Sequence, residues 1–116
     1  MGSMAPPMLR VVRDAILNVM SERDDVLAVL RTVLPELRRD WPIRSLALFG
    51  SVVRGEAGPA SDLDILVEFE APVGLSDFLA LEHKLSALTD RQVELVSRQA
   101  LKPFIGRHVL REAVPV

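Results

Sequence analysis

The sequence predicts an α/β (α+β) architecture, a small mixed sheet of about three to four strands with helices packed on it. Three features point there. Residues 62–69 alternate in polarity at the two-residue period of a strand, with Leu63, Ile65, Val67 and Phe69 on one side. Segments before and after them carry leucines at helical spacing. Glycine- and proline-rich breaks separate these segments, and no internal repeat or low-complexity tract interrupts the pattern.

The elements follow in order. "MGSM" resembles a scar left by expression, and residues 1–7, closed by Pro6 and Pro7, are expected to be a disordered start to a single domain over 8–116. Leu9, Val12, Ile16 and Met20 suit a short amphipathic helix over 8–20. Ser21 is placed to cap a second helix, whose apolar stripe runs through Val26, Leu27, Leu30, Val33, Leu34 and Leu37. Arg38, Arg39 and Asp40 end that stripe, and Trp41-Pro42 breaks it. Residues 43–48 read as a strand, and 49–60 as a turn with room for one short helical turn. After the strand at 62–69, Pro72 and Gly74 mark a loop. A third helix follows, carrying Leu75, Phe78, Leu79, Leu81, Leu85 and Leu88. Residues 92–96 give a third strand and 101–112 a last helix through Phe104, Ile105, Val109 and Leu110.

Bulk properties exclude several classes of function. The chain has 116 residues, which suits one compact domain. A hydrophobic content of 49% supplies a core, and a net charge of −2 offers no general pull toward nucleic acid or anionic lipid. The chain has no cysteine, so disulfides, thiolate metal sites and a cysteine nucleophile are excluded. No apolar run approaches the ~18 residues of a membrane span, and no signal-peptide pattern opens the chain. The expected location is the cytoplasm.

The unusual feature is Asp62 and Asp64 on an otherwise apolar strand. Residues two apart on a strand share a face at roughly 7 Å, so these carboxylates converge and repel unless a cation lies between them. Magnesium suits such a place, since it takes hard oxygen ligands and bridges carboxylates to phosphates. The plain alternative is two acids on the solvent side of a sheet. Gly50-Ser51 upstream tilts the choice: glycine lets backbone amides approach an anion, and the serine hydroxyl opens a short helical turn. Glu94, between Val93 and Leu95, can join the pair if its strand lies beside 62–69. Arg54 lies where a cation could meet phosphate, and equally suits a solvated turn. Glu68, His83 and His108 read as surface residues.

Gly50-Ser51 followed after residues 52–61 by Asp62-x-Asp64 resembles the signature of the DNA polymerase β nucleotidyltransferase superfamily. The string "GSVVRGEAGPASDLDILV" looks like its minimal nucleotidyltransferases, or MNT domains, commonly encoded beside HEPN-domain ribonuclease toxins. The resemblance runs from about Val26 to the C-terminus, including "ALKPFIGRHVLREAV". It implies a polymerase β-like fold, with Gly50 and Ser51 on the nucleotide triphosphate and Asp62, Asp64 and Glu94 on two magnesium ions. Glu94 stands where this family often has Asp. The implied activity is transfer of AMP from ATP to a hydroxyl of a cognate HEPN toxin, which makes the chain an antitoxin. With nothing substantial after the last helix, the acceptor is expected to come from another molecule. Two other readings stay open: an antitoxin that neutralises by contact alone, and transfer to a small molecule or a transfer RNA end.

Overall fold

The computed structural model describes residues 22–56 and 62–116. The expected disordered start, the helix over 8–20, the Ser21 cap and the end of the turn at 57–60 lie outside the described residues.

Helix α1 spans Glu22–Asp40, with Glu22, Asp24 and Asp25 in its first turn and Arg38 and Arg39 in its last, both complementing the helix dipole. Val26, Leu27, Leu30 and Leu37 form its buried stripe. Arg38 fastens the turn that follows, donating Nε to Ile43 O at 3.3 Å and Nη2 to Arg44 O at 2.9 Å. Strand β1 is Ile43–Phe49, α2 is the single turn Ser51–Arg54, and β2 is Leu63–Phe69. Helix α3 covers Leu75–Thr89 and β3 covers Val93–Ser97. A 3₁₀ turn at Arg98–Ala100 leads to α4, Pro103–Glu112, and then to a two-residue strand β4, Val114–Pro115.

The sheet has the order β3-β2-β1-β4, mixed as expected. β1 runs antiparallel to β2 and to β4, while β2 and β3 are parallel and joined across α3. That crossover is why Asp64 and Glu94 can share one end of the sheet. Leu63, Ile65 and Val67 of β2 join Leu30 and Leu37 of α1 and Leu81 and Leu85 of α3 in one apolar cluster, each at 1% exposure or less.

α3 also fixes β3. Its Glu82 carboxylate accepts the Leu95 N–H at 2.9 Å, and its Ser86 Oγ accepts the Val93 N–H at 3.0 Å. Side chains of the helix thereby satisfy the edge of the sheet, and Glu94, between those two amides, is held in a set register.

Three departures from the sequence reading have physical causes. The last helix begins at Pro103 because residues 98–100 take a tighter 3₁₀ turn first. β4 is too short to show a period, and it exists because Val116 N–H bonds Leu46 O at 2.9 Å and Val114 sits beside Leu48. α3 is apolar on more than one side: Leu81 and Leu85 are buried, whereas Leu75 is 74% exposed and Leu79 is 42% exposed. Among the described residues no helix is long and apolar enough to cross a membrane.

Candidate functional site

The site is built at a corner. β1 ends at Phe49, which lies opposite Asp64 in the antiparallel register. Gly50 then turns the chain at φ 81° and ψ −156°, a region open in practice only to glycine. A Cβ at Gly50 would overlap Oδ2 of Asp64 and lie 3.0 Å from its Cγ. Backbone and carboxylate are thus packed directly together, which the sequence pattern alone did not show. Ser51 opens α2, and Val52, 2% exposed, anchors that turn in the core. Gly55, in the left-handed conformation at φ 73°, closes α2, and Glu56 N–H bonds Ser51 O at 2.9 Å.

The parallel register sets Asp64 beside Glu94. Their carboxyl groups share a hydrogen bond. Burial pushes the Asp64 carboxyl up to about 6, and the neighbouring charge and hydrogen bond of Glu94 and the charge of Asp62 add to the rise. Arg54 works the other way. Asp62 stands just ahead of β2 and is exposed. All three acids therefore occupy one end of the sheet, with Gly50 against the central one.

Three carboxylates are the donor set a hard divalent cation takes. As placed, however, no three acidic or histidine side chains among the described residues stand close enough together to hold an ion. The three side chains do not converge on one point as placed, so three-point binding requires a side chain to rotate. The pair fits a magnesium ion by chemistry, and the triad needs that adjustment.

Arg54 is neither simply solvated nor simply offered to a ligand. Its Nε meets Glu56 Oε2 at 3.0 Å and its Nη1 meets Oε1 of Glu112, at the end of α4. These two partners were missed, and Glu112, 58 positions along the chain, gave no signal in the sequence. Glu68 is half-buried and ion-paired to Arg98 at 3.0 Å rather than merely solvated. His83 and His108 are exposed, as expected of surface residues.

A cavity of about 600 Å³ lies away from the acids, at the far end of β2, lined by Phe69, Ala71, Pro72, Val73, Leu75 and Phe78 among others. Phe69 lies five positions along β2 from Asp64, roughly 17 Å at strand rise. Cavity and chemistry do not coincide, and the acid cluster is the better candidate because its carboxylates are held in register against a glycine corner.

The nucleotidyltransferase domain family model matches residues 30–116. The protein adenylyltransferase MntA of Thermococcus cleftensis is 43% identical over 93 residues, covering 80% of this chain and 94% of the relative. A solved minimal nucleotidyltransferase superposes with a TM-score of 0.70 at 38% identity, covering 84% of this chain and 98% of the other. At 21% identity the likeness is one of fold alone, with a TM-score of 0.60 and coverage of 78% and 70%. That structure is a tri-AMPylated Shewanella oneidensis HEPN toxin in complex with its MNT antitoxin.

Proposed function

The chain belongs to the nucleotidyltransferase domain family, and from that premise we propose that it transfers AMP from ATP to a hydroxyl of a HEPN toxin, with magnesium, as an antitoxin. The observation that carries this reading is the register of Asp64 with Glu94 against the Gly50 corner. A core strand gains nothing in stability from two neighbouring carboxylates that repel, whereas phosphoryl transfer needs such a cluster. The similarity to a named protein adenylyltransferase over 94% of its length supports a protein as acceptor.

In the reaction the acceptor hydroxyl oxygen attacks the α-phosphorus. The bond from that phosphorus to the bridging oxygen breaks, and pyrophosphate leaves with the electron pair. Asp62, Asp64 and Glu94 would hold the magnesium ions, which would lower the pKa of the attacking hydroxyl, its proton passing to solvent, and would neutralise the leaving pyrophosphate. Gly50 makes room for the Asp64 carboxylate itself, Ser51 offers a hydroxyl to a phosphate oxygen, and Arg54 supplies positive charge. Asp64 must be ionised to serve, so activity should rise with pH through about 6.

The test is direct. Mixed with a cognate HEPN toxin, ATP and magnesium, the chain should add one AMP or a small multiple to the toxin, read by intact-protein mass spectrometry. A toxin left unmodified yet fully inhibited, by wild type and Asp64→Asn alike, would establish contact-only neutralisation instead.

A further inference from the structure

We propose that Glu112 is a positioning residue for the reaction: with Glu56 it fixes the plane of the Arg54 guanidinium, so that the edge neither glutamate uses faces the nucleotide phosphates. The inference rests on the proposed nucleotide site and adds to it Glu56 and Glu112, to which that reading gives no role.

A guanidinium carries five N–H donors in a rigid planar fork. Glu56 takes Nε and Glu112 takes Nη1, so the Nη2 edge is the one left to a ligand. Arg54 lies one helical turn after Ser51 and within electrostatic reach of Asp64, at the acid end of the sheet. Glu112 is no loose surface acid, for its side chain is 16% exposed where that of Glu56 is 64% exposed. Its backbone is fixed as well. Ala113 N–H closes α4 on Val109 O at 2.9 Å, and Val114 and Pro115 then pair with Leu48 and Ala47 of β1, just ahead of Gly50. The post that holds Arg54 is thus tied to the strand that carries the glycine corner. An isolated surface pair adds little to stability, but a pair that sets the direction of a phosphate-facing cation acts on the ligand.

The experiment measures the Kd of a non-hydrolysable ATP analogue with magnesium and no acceptor, then KM and kcat for ATP with the toxin. Glu112→Ala should raise Kd and KM together by roughly tenfold while kcat stays within about twofold, as loss of one oriented charge-assisted contact predicts. Glu112→Gln, which keeps an acceptor for Nη1, should recover most of the affinity. Arg54→Lys should not, because an ammonium cannot hold two carboxylates and present a fixed edge. In an Arg54→Ala background, Glu112→Ala should change Kd no further. An unchanged Kd for Glu112→Ala, or an equal loss in both backgrounds, overturns the inference. A wild-type chain that binds no analogue overturns the nucleotide site itself, while one that binds it but transfers nothing overturns only the proposed acceptor.

Discussion

Replacing Asp64 by Asn should make the protein more stable at neutral pH. Burial and Glu94 hold the Asp64 carboxyl at about 6 in the fold, against an ordinary value of 3.8. An acid with a raised folded-state pKa binds more protons folded than unfolded between those values, so stability falls as pH rises through the window. Above about 6 the whole penalty is present, and below about 4 it is gone. At 1.36 kcal/mol per pKa unit the difference comes to about 3 kcal/mol. The carboxylate is only half-buried, and solvent screening brings this to about 1 kcal/mol. Asn keeps a donor for Glu94 and removes the charge. Thermal melts without divalent cation should show Asp64→Asn about 4 °C above wild type at pH near 8. The gap should close toward pH 4, where wild-type Asp64 is neutral. A variant that melts below wild type at pH 8, or with the same offset at both ends, would refute the argument.

The other perturbations separate the parts of the site. Asp62→Asn combined with Asp64→Asn should keep the fold and lose the rise in melting temperature that magnesium-ATP gives wild type, by calorimetry. Gly50→Ala should lose about 2–3 kcal/mol and most activity, since φ 81° is strained and the new Cβ displaces Asp64. Gly55→Ala, at φ 73° with nothing within 4 Å, should lose about 1 kcal/mol by denaturant titration. Glu94→Gln should slow transfer on the order of a hundredfold while sparing ATP binding, and single-turnover kinetics would separate the two.

Much of this site was legible because its parts are local. The period-two alternation at 62–69 was enough to place the Asp pair on one face, and Gly50-Ser51 marked the corner without reference to anything distant. What the sequence could not supply was pairing. Glu94 joins Asp64 only because β3 runs parallel to β2 in one register, set by Glu82 and Ser86 of α3 bonding the β3 amides. Arg54 remained ambiguous for the same reason, since its second partner arrives from α4. Leu66 shows the limit of reading a strand by faces: it lies on the acid side yet is 5% exposed, so that side is not open to solvent along its whole length. The leucines of α3 show the converse, with Leu75 at helical spacing and facing out.

The same burial explains why the acids are chemically poised. A carboxylate at an open sheet surface would keep its ordinary pKa and a full hydration shell. Asp64 has Leu63 and Ile65 in the core on either side and the Gly50 backbone against its carboxyl, so water is partly excluded from it. Glu94 and Asp62 then raise the cost of its charge further. A cation held at Asp64 would relieve the repulsion from Glu94 and Asp62, which the half-buried setting of Asp64 leaves less screened than it would be at an open surface. The instability predicted for wild type above pH 6 and the affinity predicted for magnesium are therefore one quantity seen from two sides. A variant that relieves the first without weakening the second would break that link.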